Sequence, residues 1–233
     1  MTHGLAIVGH GKMGHLIQQL APEYGFDIRL TLNSSTNAHG AGLTTESLRN
    51  VDAAVEFSTS SAVPQNIRQL VALGIPVVAG TTGWFQQLPC VRQAVQSSGG
   101  ALVWSPNFSV GVYRFRQIIA QAASVFAGEP EYEAWGWEIH HAAKRDAPSG
   151  TLLTVAEEMK QAGFDRAINL SSNRAGVHPG THEIGFDSGA DTITIRHTAK
   201  SREGFARGAL RAARWILGKS GVFEFREIVN QLG

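Results

Sequence analysis

The run Leu5-Ala6-Ile7-Val8 is continuously apolar and breaks at glycines, after which Met13, Leu16, Ile17 and Leu20 recur at helical spacing. That order reads as strand, tight turn, helix. Phe26 to Leu32 and Ala53 to Phe57 read as a second and a third strand. Val63, Ile67, Leu70 and Val71 mark one face of a helix that Gly74 is placed to stop. Val77-Val78-Ala79 and Ala101-Leu102-Val103-Trp104 read as two further buried strands. Each runs into a loop, Gly80-Thr81-Thr82-Gly83 and Ser105-Pro106-Asn107-Phe108. Short apolar strands alternating with helices predict an α/β fold, a Rossmann-like doubly wound parallel sheet.

The pattern changes near position 107. Val112, Phe115, Ile119, Ala122 and Phe126 predict one long helix, Glu133 to His141 a strand, and a further helix begins near Thr151. Thr181–Asp187 and Asp191–Ala199 read as strands paired antiparallel around the turn Asp187-Ser188-Gly189-Ala190. This is a smaller α+β layer. A last helix is predicted from Arg202, with Phe205, Ala209, Leu210, Ala213, Ile216 and Leu217 on its apolar face and Arg207, Arg211 and Arg214 off it. The expected domains are residues 1–107 with 202–233, which bind dinucleotide, and residues 108–201, which bind substrate. Hinges are expected near Asn107–Gly111 and near Arg202.

Composition narrows the function classes. Of 233 residues, 43% are hydrophobic, enough for a sizeable core. Lys plus Arg is 20 and Asp plus Glu is 19, so no overall field draws nucleic acid or anionic lipid. Arg207, Arg211 and Arg214 read as the solvated face of a helix. Cys90 is the sole cysteine, which excludes an intrachain disulfide and a cysteine-rich metal cluster. The N-terminal apolar run is too short for a signal segment, and no stretch is long enough to span a bilayer, so the cytoplasm is the expected location.

Two segments carry chemistry. Gly9-His10-Gly11-Lys12-Met13-Gly14 matches the dinucleotide fingerprint between a strand and a helix. One glycine permits the turn, one lets pyrophosphate approach the backbone, and one lets helix pack on strand. The phosphates then meet the unpaired amides of the helix N-terminus. NAD sites place an acid at the end of the second strand to hold the ribose hydroxyls, but Leu32 is followed by Asn33-Ser34-Ser35-Thr36-Asn37. A neutral, hydroxyl-rich loop tolerates a 2′-phosphate better than a carboxylate does, which leans toward NADPH over NADH. No arginine follows Asn33, so use of both stays open.

The second segment runs Glu138-Ile139-His140-His141-Ala142-Ala143-Lys144-Arg145-Asp146-Ala147-Pro148-Ser149-Gly150-Thr151. Ser149 suits an N-cap, leaving the Gly150 and Thr151 amides as helix donors for a carboxylate. Lys144 adds a full charge, and a histidine can move a proton near neutral pH. Neighbours on a strand point to opposite faces, so His140 and His141 are poor joint ligands for one ion. No second His or Cys sits at ligand spacing, and no metal is expected.

This segment resembles the signature of the 4-hydroxy-tetrahydrodipicolinate reductase (dihydrodipicolinate reductase) family of the diaminopimelate–lysine pathway. The resemblance extends through Gly11-Lys12-Met13-Gly14, Gly80-Thr81-Thr82-Gly83, Ser105 to Gly111 and the His197 to Ala209 region, covering nearly the whole chain in order. It implies hydride transfer from NAD(P)H to a cyclic imine dicarboxylate. It implies His140 as general acid, Lys144 as second proton donor and substrate contact, and His141, Gly150 and Thr151 as substrate binders. It also implies that Gly80, Thr81 and Thr82 with Ser105, Pro106, Asn107 and Phe108 line the nicotinamide end. Family members are usually homotetramers built through the sheet of the second domain. The chain departs from many members at Asn33 and in short connections around Ala38–Asn50 and Asn169–Thr181. Two other readings remain: another Rossmann-type imine or amino-acid dehydrogenase, and a dinucleotide sensor without turnover.

Overall fold

The structure is a computed structural model and describes residues 2–232. Met1 and Gly233, the outer bounds of the expected dinucleotide domain, lie outside the described residues. The chain divides into two compact units, Met1–Ser109 with Glu203–Gly233, and Val110–Arg202.

The first unit alternates strands and helices. β1 (His3–Val8) leads into α1 (Lys12–Leu20), followed by β2 (Phe26–Leu32), β3 (Ala53–Glu56), α2 (Val63–Ala72), β4 (Val77–Ala79), α3 (Leu88–Ser97) and β5 (Ala101–Trp104). Six strands pair in one sheet, every adjacent pair parallel, and β10 (Gly221–Glu224) closes the edge beside β5. The order β10-β5-β4-β3-β1-β2 places β1 between β2 and β3, where the winding reverses. Ligands of such sheets bind beyond the carboxyl ends of the strands at that point. The inner strands β1, β3, β4 and β5 are buried on both faces, which is why they read as continuous apolar runs.

The second unit contains α4 (Val110–Phe126), β6 (Glu133–His140), α5 (Gly150–Gln161), β7 (Ile168–Arg174), β8 (Thr181–Asp187) and β9 (Thr192–Thr198). Its sheet runs β7-β6-β8-β9, with β6 parallel to β7 and antiparallel to β8. Phe115, Ile119, Leu152, Val155, Met159, Ile184 and others pack α4 and α5 against one face. The chain then re-enters the first unit through α6 (Glu203–Trp215) and ends near the short α7 (Phe225–Ile228).

The structure corrects several readings. The helix expected to be last is followed by β10 and α7. Phe205 and Leu217 are only half-buried, and small residues (Ala206, Gly208, Ala212) supply much of the buried face of α6. Arg207 and Arg211 are not simply solvated: Arg207 pairs with Glu23 and Glu203, and Arg211 donates to the Leu232 carbonyl. The first half of the stretch around Asn169–Thr181, read as a connection, belongs to the strand β7. Its alternation of half-buried and exposed positions lacks the strong apolar residues that mark a strand in sequence.

Candidate active site

At the carboxyl end of β1 the backbone is shaped for close approach. Gly9 sits at φ +100, and a Cβ there would lie 2.3 Å from the Phe57 carbonyl oxygen. Gly14 on α1 packs with its Cα against the Gly9 carbonyl, which a Cβ would meet at 2.3 Å. Gly11 is the opposite case: it caps α1, no side chain caps the helix with it, and a Cβ on it would enter open space. The first-turn amides of α1 therefore face an uncovered place, as a diphosphate requires. Lys12 opens that turn and is exposed, while Met13 is half-buried. His10 bonds Gln18 through Nε2 at 2.7 Å, and its ring stacks on that of His15. These residues fit a dinucleotide.

Around this edge a buried polar chain joins three loops. Glu56 ends β3 fully buried. It accepts from Thr81 Oγ1 at 2.9 Å, from Asn66 Nδ2 at 3.0 Å and from Ser58 Oγ. Burial pushes its carboxyl up, and those donors act against that. Asn66 in turn accepts from Asn37 Nδ2 at 3.0 Å. The loops after β2, β3 and β4 are thus tied to one carboxylate.

Asn33 accepts through Oδ1 from the Ser35 and Thr36 amides at 2.9 and 3.0 Å, forming a turn on its own backbone. Gly80 is pressed against Phe57, whose ring a Cβ would meet at 2.2 Å. Thr82 is exposed. Ser105 Oγ donates to the Asn107 carbonyl at 2.5 Å, and Asn107 Oδ1 accepts from the Ser109 amide at 2.8 Å. Pro106 is exposed, whereas the Phe108 ring is buried against Phe225, 4.7 Å between centroids.

In the second unit the chemistry gathers at the end of β6. Its buried positions alternate as Ala134, Gly136, Glu138 and His140, so Glu138 and His140 share one face. The strand stops at His140, and His141 starts a turn in which its carbonyl accepts from the Lys144 amide at 3.0 Å. Register places Ser172 on β7 and His182 on β8 directly opposite Glu138, and His197 on β9 opposite His182. One rung of polar side chains therefore crosses all four strands.

Glu138 is fully buried and is the centre of that rung. Its Oε1 accepts from the Ser149 amide at 2.8 Å, Ser172 Oγ at 2.9 Å and Arg174 Nη2 at 2.8 Å. Its Oε2 accepts from Ser149 Oγ and lies 3.3 Å from His182 Nε2 and 3.5 Å from His140 Nδ1. Burial alone would push this carboxyl up, but the donors from Ser149, Arg174 and Ser172 overcome it and hold it at about 2. Burial, then the neighbouring His140, lowers His182 to about 4, so it is neutral at neutral pH. His140 is also held below 6.5. Burial is the main cause, Glu138 opposes it, and Lys144 adds to it only after those two.

Ser149 caps α5 as expected, its Oγ accepting from the Leu152 amide at 3.2 Å. Gly150 and Thr151 form the first turn, exposed and half-buried. Lys144 Nζ is held by both oxygens of Asp146, at 2.8 and 2.9 Å. That lysine holds the same carboxyl below its ordinary value, and the nearby Gly150 amide adds slightly to this. A lysine thus already grips a carboxylate just before the N-terminus of α5.

Sequence reasoning gave no role to Glu56, Glu138, Arg174 or His182. It also stated that no second histidine stands at ligand spacing. In space, Glu138, His140 and His182 bring ligand atoms within 4.8 Å of one another. The signal was absent from spacing because it lies in strand register. The carboxylate is already saturated by hydroxyl, amide and guanidinium donors, which makes the cluster a hydrogen-bonded anion site rather than an open seat for a cation.

Comparison with known proteins places the chain. Residues 3–108 match the family model of the N-terminal part of dihydrodipicolinate reductase, and residues 111–229 match that of its C-terminal part. A 4-hydroxy-tetrahydrodipicolinate reductase of Christiangramia forsetii is 32% identical, covering 98% of each chain. One of Natronomonas pharaonis is 30% identical over 94% of this chain and 96% of its own. Among solved structures, a dipicolinate-bound dihydrodipicolinate reductase from Paenisporosarcina sp. TG-14 superposes with a TM-score of 0.80 over 99% of both chains at 20% identity, a likeness of fold. An aspartate dehydrogenase from Thermotoga maritima reaches 0.50 at 11% identity, again fold alone. The chain belongs to the dihydrodipicolinate reductase family.

Proposed function

We propose that this chain is an NAD(P)H-dependent reductase of the cyclic imine dicarboxylate 4-hydroxy-tetrahydrodipicolinate, yielding tetrahydrodipicolinate on the route to diaminopimelate and lysine. The observation that carries the reading is the Lys144–Asp146 pair just before the first turn of α5. A primary ammonium grips a carboxylate in the loop between the strand that ends at His140 and the first turn of α5. In the reading, a substrate carboxylate takes the place of Asp146, with Lys144 and the Gly150 and Thr151 amides as its donors and His141 at its rim.

When bound, the reduced nicotinamide supplies the hydride. His140 then gives a proton to the atom on which the added electron pair collects. Lys144 stabilises negative charge during that step and stands as the second proton source. Gly9, Gly11 and the first turn of α1 would hold the diphosphate, with His10, Lys12 and Met13 around it. Thr81, Thr82 and the Ser105–Phe108 loop would border the nicotinamide, Phe108 through its backbone, since its ring is in the core.

We place NADPH ahead of NADH. Asn33 has its carbonyl oxygen engaged by its own turn, which leaves the side-chain amide as a donor, and a donor suits a 2′-phosphate. We also propose a homo-oligomer formed through the helix-free face of the second sheet. Trp135, Trp137 and Ile139 stand half-buried there within a single chain, and the Trp135 ring packs against Gly185, where a Cβ would meet it at 2.2 Å. No helix among the described residues is long and apolar enough to cross a membrane.

The test is oxidation of NADPH and of NADH with substrate generated in situ from pyruvate and aspartate semialdehyde. Turnover with NADPH preferred supports the reading. Folded protein that binds cofactor but turns over neither sends weight to another reductase or to a sensor.

A further inference from the structure

We propose that Glu138 is the positioning residue for His140: it holds the imidazole proton on Nδ1, so that Nε2 is the nitrogen that gives its proton to substrate. This deepens the reductase reading and rests on it for the role of His140.

The two oxygens of Glu138 have different neighbours. Oε1 is filled by three donors from the scaffold, the Ser149 amide, Ser172 and Arg174. Oε2 turns to Ser149 Oγ and to the two imidazoles. His140 Nδ1 is buried and makes no hydrogen bond in this state, and Oε2 lies 3.5 Å away from it. Closing that gap to an ordinary N–H···O distance takes about half an ångström. A buried ring nitrogen beside an anion is stable when it carries a proton, because a bare lone pair there would face negative charge.

The opposite edge of the ring is kept clear by a separate device. Gly180, in the loop before β8, sits at φ +142, and a Cβ on it would lie 2.9 Å from His140 Nε2 and 3.0 Å from Cδ2. Only glycine adopts that backbone readily, and any side chain would crowd Nε2. One edge of the imidazole is thus addressed by a fixed carboxylate and the other by a residue with no side chain. After Nε2 gives up its proton, the ring is left neutral with hydrogen on Nδ1, beside Glu138. A carboxylate that orients a histidine and stabilises its cation without taking the proton is the logic of the serine-protease triad.

The groups facing the ring come from every neighbouring element: Glu138 on β6, Arg174 on β7, His182 on β8, and Lys144 and Asp146 in the loop. Glu138 and Asp146 favour the imidazolium, whereas Arg174 and Lys144 oppose it. Removing Glu138 and removing Arg174 must therefore move His140 in opposite directions. A purely structural role for Glu138, anchoring Ser149 and α5, predicts no preference for hydrogen on Nδ1.

The test is long-range proton–nitrogen NMR of protein labelled with nitrogen-15 histidine, His140 being assigned by its absence in His140→Gln. Wild type is expected to carry hydrogen on Nδ1 in the neutral state. In Glu138→Gln the Nδ1–H preference is lost, the pH at which the ring protonates falls, and kcat drops about 100- to 10,000-fold with the Kd for NADPH unchanged. In Arg174→Gln the ring protonates at higher pH. Hydrogen on Nε2 in wild type, or shifts of the same sign in both variants, overturns the proposal. Should Glu138→Gln fail to fold, the wild-type tautomer and the Arg174→Gln shift decide it. Absence of turnover in wild type would overturn the reductase reading, and the tautomer would still report on Glu138.

Discussion

Asp146 holds Lys144 with both carboxylate oxygens, Nζ lying 2.8 and 2.9 Å from them. The pair stands at the start of α5, where the sequence places a lysine and free helix amides for a carboxylate of the substrate. Asp146 is therefore a competitor for the site that Lys144 serves. Replacing it with Asn keeps the size and removes the competing charge. Asp146→Asn is expected to lower KM for the dicarboxylate about two- to fivefold, the range of an exposed ion pair, with kcat little changed. Steady-state kinetics with substrate varied checks this. A raised KM would mean that Asp146 orders the loop instead of occupying it.

The choice between cofactors turns on one side chain. Asn33 Oδ1 accepts from the Ser35 and Thr36 amides, and aspartate can accept the same two bonds. Asn33→Asp thus preserves the turn, removes a donor and adds a negative charge beside the position of a 2′-phosphate. The NADPH-to-NADH ratio of kcat/KM is expected to fall by about tenfold or more, a cost of about 1.4 kcal/mol or above. An unchanged ratio would place the 2′-phosphate away from Asn33.

Glu138 also links stability to pH. Its carboxyl is held at about 2 in the folded chain against an ordinary 4.5. A group lowered on folding contributes fully above its unfolded value and loses that contribution as pH falls through its folded value. Glu138 therefore stabilises above about pH 4.5 by about 3 kcal/mol, lost progressively toward pH 2. Urea unfolding across that range should show a steeper loss for wild type than for Glu138→Gln. Equal slopes would show that the carboxylate is not preferentially ionised in the fold.

Much of this was legible in the sequence, and the parts that were not share a cause. β1, β3, β4 and β5 announce themselves because a parallel sheet buries both faces and fills them with Ala, Val, Ile and Leu. The loop through Gly9, Gly11 and Gly14 is local, so its spacing carries its meaning. β7 stayed hidden because Ser171, Ser172 and Asn173 look like loop residues. They are tolerated in a strand because one of them, Ser172, donates to Glu138. His182 could not be linked to His140 because their meeting is set by antiparallel register between β6 and β8, which spacing does not encode. Glu56 was read only as part of a strand. Its role depends on Asn66 and Thr81, which reach it from other loops.

The central claim is that His140 delivers the proton that completes reduction of a cyclic imine dicarboxylate. The most direct measurement is kcat for His140→Gln against wild type on substrate made from pyruvate and aspartate semialdehyde, with NADPH affinity measured on the same samples. The account predicts a loss of about 100- to 10,000-fold in kcat with the cofactor Kd unchanged. Turnover within a few-fold of wild type from the folded variant would contradict it.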